Sequence, residues 1–378
     1  MTTKKTIKIH NKSDKPNNIV KREHEIIEKC LEIENALPDF MRDFFIYLKN
    51  GVALSTRHAY LQDILFFCRY LVHETKFISS PTTKTIILAE FNKLKARDIN
   101  HYLGEYCPMY SIEKDDLITI MENNSRALAR KKSSLAVLFK FLYRDEILEE
   151  NIVSGFNPIR LPKPQPDAIK KLEIDEVATM LDAVENGHGM TEKELEYWAK
   201  TKLRDKAIII LFISYGLRLK ELQQLNVSSF SFHRGDFKIY RKREKEVNMP
   251  LNKSVEKVVK DYIEMERPSN EFVLEEYKDA LFLSLQKTRM TEKAIREMVK
   301  KYTSLALATT KENGYSPHKL RATAATALIQ YGFSIYDVQN LLDHDNITTT
   351  QLYSAHKKNV KRDIVQKFEW LEEYEVKK

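Results

Sequence analysis

The sequence predicts a mainly α-helical protein of two domains, the second of which carries a small β-sheet. Three observations predict it. Apolar residues recur at helical spacing over most of the chain. Pro158, Pro162, Pro164 and Pro166 interrupt that pattern once, near the middle. Aromatic residues cluster at strand-like spacing around Arg234-Gly235-Asp236. A chain of 378 residues is long enough for two domains, and 43% hydrophobic with 31% charged residues supports buried cores under a charged surface.

The elements follow in order. Residues 1–22 hold Lys4, Lys5, Lys8, Lys12, Lys15, Lys21 and Arg22 against one acid, Asp14. Residues 1–35 therefore read as a flexible basic arm, either touching a polyanion or simply solvated. A helical domain is expected over 36–156. Tyr60, Ile64, Phe67 and Leu71 fall on one helix face, as do Leu128, Leu135, Leu138 and Leu142. The second stripe begins with Arg126, Arg130, Lys131 and Lys132. That basic front edge suits a phosphate backbone, or else is an ordinary solvated face.

The prolines alternate with Arg160 and Lys163, so residues 157–170 read as an extended basic linker. A second domain is expected over 171–357. Within it, Phe230-Ser-Phe-His and Phe237-Lys-Ile-Tyr form a hairpin, and Val247 to Leu251 offer a third strand. Beyond it, Val360, Ile364, Phe368 and Leu371 put one apolar stripe on a helix over 358–378, with Trp370 beside it. Such a helix buries its stripe in its own domain or in a neighbouring protomer.

Composition narrows the function. A net charge of +8 and a pI near 9.0 suit a polyanionic partner without requiring one. Cys30, Cys68 and Cys107 are scattered and odd in number, which points to a reducing cytoplasm rather than a disulfide framework. No C-x-x-C or H-E-x-x-H spacing supports a metal. The most apolar run, Ala207 to Ile213, is too short to span a bilayer, so no membrane partner is expected.

Four distant segments fit one chemical task. They are Gly216-Leu-Arg218-Leu-Lys-Glu221-Leu222, His318-Lys-Leu-Arg321, Leu342-Asp343-His344 and Tyr353. A tyrosine can attack phosphorus covalently, but its phenol has a pKa near ~10 and needs cations and a base around it. Two arginines can neutralise a phosphodiester through planar, permanently charged forks. Glu221 stands three residues after Arg218, on the same helical face, where it can hold the guanidinium. Ser316-Pro317 starts a helix that puts His318 and Arg321 on one face near its positive end.

On these residues the chain resembles the tyrosine recombinases, the family of phage integrases and Xer proteins, and among them the single-protein Xer enzymes of Gram-positive bacteria. The resemblance covers about residues 36–357. It implies a helical core-binding domain that closes on duplex DNA and a mostly helical catalytic domain. It implies Arg218, His318, Arg321, His344 and Tyr353 as catalytic residues, with Tyr353 the nucleophile and His318 the acceptor of its proton. The family's glycine before the second histidine is Asp343 here, so that turn must admit a side chain. The family's proton donor to the leaving 5′ oxygen is a lysine in G-K-G-x-K-x-R. The corresponding segment reads Arg241-Lys242-Arg243-Glu244-Lys245-Glu246-Val247. Lys242 matches that lysine, with Lys245 an open alternative.

The resemblance further implies a DNA strand-transferase needing no cofactor, acting through a 3′-phosphotyrosine and a Holliday junction. Its partner would be double-stranded DNA bearing an inverted-repeat site. It would work as a homo-tetramer on two such sites, in the cytoplasm on the nucleoid, and an accessory protein is a further partner that the family allows. Xer-like resolution of replicon dimers is the leading role. Integration and excision of a phage or conjugative element, a type IB topoisomerase, and a catalytically silent DNA-binding factor are the alternatives.

Overall fold

A computed structural model describes residues 15–114, 117–162, 170–241 and 245–343. Fourteen α-helices and five strands lie among these residues. The chain divides into two compact units, Met1–Lys163 and Pro164–Lys378. That division falls inside the proline-rich segment.

The first unit contains α1 (Asn17–Asn35), α2 (Arg42–Gly51), α3 (Leu54–His73), α4 (Leu88–Phe91), α5 (Ala96–His101), β1 (Met109–Lys114), β2 (Leu117–Glu122) and α6 (Ser125–Arg144). The two stripes legible in the sequence are the packing faces of α3 and α6. Ile64, Phe67 and Leu71 are buried with Leu135, Leu138 and Leu142, while Tyr60 and Leu128 are partly covered. The α6 helix starts where Asn124 caps it, its side chain accepting the Ala127 N–H at 3.0 Å. Phe67 meets Tyr102 edge-on, and Phe91 stacks on Phe139 at 5.3 Å.

Two expectations need correction here. The arm expected over 1–35 is helical from Asn17 onward, as α1. Charge masked its apolar positions: Ile19, Ile26, Cys30 and Ile33 recur at helical spacing, and Ile19 and Cys30 are buried. Arg57 of α3 ties the end of α1 down through Glu34, with Nη2 at 2.6 Å from the carboxylate. Residues 1–14 lie outside the described residues.

The second correction concerns 109–122, where helix gives way to an antiparallel hairpin pairing Met109 with Glu122 and Lys114 with Leu117. Leu117, Ile118 and Ile120 all face solvent, so no in–out alternation marked the strands.

The second unit contains α7 (Ile174–Asn186), α8 (Glu192–Trp198), α9 (Lys202–Tyr215), α10 (Leu219–Gln223), β3 (Phe230–Ser231), β4 (Asp236–Tyr240), β5 (Glu246–Pro250), α11 (Lys253–Met265), α12 (Glu292–Ala306), α13 (Pro317–Gln330) and α14 (Ile335–Leu342). The strands form one antiparallel sheet in the order β3-β4-β5. Phe237 pairs with Phe230 on one side and Met249 on the other, as the aromatic spacing predicts. From Ala207 to Ile213 the α9 helix is apolar, with Ala207, Ile208, Ile209, Leu211 and Phe212 buried, and it packs on α7, α11 and α13. The α13 helix carries buried small residues, Ala322, Ala324 and Ala325. No helix among the described residues is long and apolar enough to cross a membrane.

Candidate active site

The site forms where the ends of α9 and α14 meet α10, α13 and the β4–β5 pair. Gly216 ends α9 in the left-handed conformation, φ 57° and ψ 34°. A Cβ there would lie 2.5 Å from a Leu342 methyl, so glycine serves both the turn and the close approach of α14. This geometry throws Leu217 into the core and presents Arg218 as the residue before α10.

Arg218 is held on three sides. Its backbone N–H donates to Glu221 Oε2 at 2.8 Å, and its Nη1 donates to Glu221 Oε1 at 2.7 Å. Its Nη2 donates to the Asp343 carbonyl at 2.7 Å. Glu221 is buried, so its carboxylate is a firm anchor for the arginine. The pairing three residues apart is the one expected from the sequence.

Arg321 is buried inside α13, where its Nη1 donates to the Gly216 carbonyl and its Nη2 to the Leu342 carbonyl. Arg241, the last residue before the segment 242–244, donates through Nη2 to the Leu341 carbonyl. Three arginines from three elements thus hold three successive carbonyls, 341, 342 and 343, at the end of α14. The last carbonyls of a helix lack internal partners and carry its negative pole, so cations are favoured there.

Asp343 follows α14 with φ 52° and ψ 55°. The turn that must admit a side chain in place of glycine is thus left-handed, a conformation that aspartate tolerates better than most residues. Its carboxylate stands 3.7 Å from Arg218 and 3.9 Å from Arg241. Arg241 and Asp343 are the residues whose roles the sequence left unseen. Both had stood out as departures from a glycine pattern, which was the available signal.

His318 is the second residue of α13, after Pro317 in the first turn. Ser316 occupies the capping position but makes no capping bond with its side chain. The imidazole reaches solvent, yet its pKa is pushed below the usual value by desolvation first, then by the charges of Lys319, Arg321 and Arg218. A neutral ring at pH 7 is what a proton acceptor requires. An NMR titration of His318 is expected to show a midpoint below 6.5, and Lys319→Gln is expected to raise it. A wild-type midpoint above 6.5 would contradict this environment.

Lys242, His344 and Tyr353 lie outside the described residues, as does the segment 358–378. The alternative lysine, Lys245, has an exposed side chain, and its carbonyl accepts the Arg241 N–H at 2.9 Å.

The basic edge of α6 divides. Arg126 is exposed. Arg130 donates to Asp63 while staying half exposed. Lys132 donates to the Asn157 carbonyl at 2.8 Å. Lys131 is a correction: it is buried, 3.5 Å from Asp63 and 4.2 Å from the centre of the Phe66 ring. Its charge completes an internal pair and a cation–π contact, so it is not a surface phosphate ligand. Arg160 is exposed, and Lys163 lies outside the described residues.

Known proteins resemble the chain over most of its length. The model of the phage integrase family matches residues 170–360. Tyrosine recombinase XerC of Natranaerobius thermophilus is 34% identical over 272 residues, 71% of this chain and 80% of that protein. Tyrosine recombinase XerD of Listeria monocytogenes is 25% identical over 339 residues, 87% of this chain and 98% of that protein. Among solved structures, XerH site-specific recombinase bound to difH substrate covers 90% of this chain and 88% of its own, with TM-score 0.57 and 20% identity. A lambda integrase dimer bound to a COC′ core site covers 84% and 95%, with TM-score 0.55 and 13% identity. These structures share the fold.

Proposed function

The chain belongs to the phage integrase family as a tyrosine recombinase, a DNA strand-transferring enzyme, and from that premise we propose how its residues carry out the reaction and to what end. Duplex DNA bearing an inverted-repeat site is the substrate. Arg218, Arg321 and His344 hold the non-bridging oxygens of the scissile phosphate. The Tyr353 oxygen attacks phosphorus and its proton passes to His318. The bond from phosphorus to the 5′ oxygen breaks, and Lys242, or else Lys245, protonates that oxygen. A 3′-phosphotyrosine remains. Attack by a 5′ hydroxyl from the partner DNA reverses the steps, so the bond energy is kept and no nucleotide is spent. Catalysis is then mostly positioning and electrostatics.

The observation that carries this reading is the convergence of Arg218, Arg321 and the end of α14, which immediately precedes His344 in sequence. The local charge fits. Arg218, Arg241 and Arg321 face two carboxylates, Glu221 and Asp343, leaving a positive excess for one phosphodiester.

The biological role we infer is Xer-like resolution of replicon dimers, by four protomers on two sites through a Holliday junction. Supporting it, the relatives named above are called XerC and XerD. Exposed Arg126 and Arg160 would contact the DNA backbone, and the stripe on 358–378 would dock on a neighbouring protomer. The domain boundaries we propose are a core-binding domain ending at 156, a linker over 157–170 and a catalytic domain over 171–357. The test is a supercoiled plasmid carrying two copies of the inverted-repeat site that the protein binds. Site-dependent conversion into two smaller circles is expected. Relaxation of plasmids lacking any site would instead mark a topoisomerase, and binding without either product a silent factor.

A further inference from the structure

We propose that Arg289 is a positioning residue for strand cleavage: it grips the C-terminal end of α10 and so sets the place of Arg218 at the other end. The inference rests on the catalytic assignment of Arg218 above and deepens it.

The lever between the two arginines is short. The α10 helix has five residues and is therefore only ~7.5 Å long. Arg218 stands immediately before it and takes its anchor, Glu221, from inside it. So short a helix makes few bonds of its own, and what holds its ends decides where it lies. Arg289 holds the far end. Its Nη1 donates to the Gln223 carbonyl at 3.1 Å and to the Leu225 carbonyl at 2.9 Å, and its Nη2 donates to the Asn226 side-chain oxygen. Gln223 in turn donates from Nε2 to the Met290 carbonyl at 3.0 Å. A cation is favoured at this end, where the last carbonyls carry the negative pole of the helix.

Arg289 is itself firmly seated. It pairs with Leu283 across a tight turn, in which the Ser284 N–H donates to the Thr288 carbonyl at 2.8 Å and the Met290 N–H to the Phe282 carbonyl at 2.9 Å. Leu281, Phe282 and Met290 are buried in the core of the second unit. The chain leaving α10 joins the same segment, the Leu281 N–H donating to the Leu225 carbonyl at 3.0 Å. Desolvation brings the Arg289 pKa down to about 10, which leaves it charged at neutral pH. The three oxygens it bonds are uncharged, so these bonds place backbone rather than pair charges. A catalytic group displaced by about 1 Å can lose on the order of 10²-fold in rate, and α10 carries any shift at its C-terminal end directly to Arg218.

The test is single-turnover cleavage of a nicked suicide duplex carrying the inverted-repeat site that the protein binds, with protein in excess and well below the melting temperature. Arg289→Met keeps the stem and removes the donors. It is expected to bind the duplex as wild type and to cleave it on the order of 10²-fold more slowly. Arg289→Lys, which keeps a charge and a donor, should recover part of the loss. The deciding comparison is with Arg218→Ala. Adding Arg289→Met to Arg218→Ala should cost no further rate, because the group that Arg289 places is already gone. A wild-type rate for Arg289→Met, or a loss that multiplies in full with that of Arg218→Ala, would overturn the proposal and leave the assignment of Arg218 standing. Should Arg289→Met fail to fold, Arg289→Gln, which retains one amide donor, takes its place under the same criteria. A wild-type rate for Arg218→Ala sinks the catalytic assignment of Arg218 and this proposal with it.

Discussion

Arg321→Ala is expected to abolish DNA cleavage and also to lower the stability of the second unit. The two effects share one origin. The Arg321 guanidinium is buried and bonds the Gly216 and Leu342 carbonyls at once. Alanine leaves both carbonyls without those donors, and each unsatisfied buried group costs about 1–3 kcal/mol. A combined loss of about 3 kcal/mol would lower the melting temperature by about 6–12 °C in a unit of this size. In the proposed mechanism Arg321 is also a transition-state donor, and losing one costs a further factor on the order of 10²–10³ in cleavage.

Arg321→Lys separates the two effects. A lysine can retain a charge and one carbonyl, so part of the melting temperature should return. Cleavage should stay low, because an ammonium cannot reproduce the planar fork that spans two carbonyls and that, in the proposed mechanism, grips the phosphate. The checks are calorimetry and adduct yield measured well below the melting temperature. Wild-type cleavage by Arg321→Ala at such a temperature would place Arg321 outside the chemistry, leaving it a purely structural clamp.

Much of the second unit was legible because its signals were local. The hairpin around Gly235 follows from aromatic spacing and a turn residue, and Gly235 does take a positive φ of 69°. The Arg218–Glu221 pair follows from helical geometry alone. At Asp343 the sequence showed a turn that must admit a side chain; its left-handed backbone and its arginine neighbours came from the structure.

The rest depended on distance in space. Nothing in a linear pattern says that residues 216, 321 and 342 share hydrogen bonds, or that Arg241 grips Leu341. Lys131 shows the same limit from the other side. Its place in a basic run suggested a phosphate contact, yet Asp63 and Phe66, far back in the sequence, claim its ammonium. The α1 helix is hidden in the sequence because its charged composition leaves an apolar stripe with few members. The β1–β2 hairpin gave no alternation because neither of its faces enters the core.

Everything in the proposed chemistry converges on one oxygen. Tyr353 is one of 18 tyrosines, and its assignment as nucleophile rests on its place after His344. The most direct measurement is to trap the covalent protein–DNA adduct on a nicked suicide substrate, digest it with trypsin and map the modified residue by mass spectrometry. The expected result is one DNA-linked peptide modified at Tyr353, with no adduct from Tyr353→Phe although that variant still folds and binds DNA. An adduct mapped to any other residue, or one that persists in Tyr353→Phe, would contradict the account.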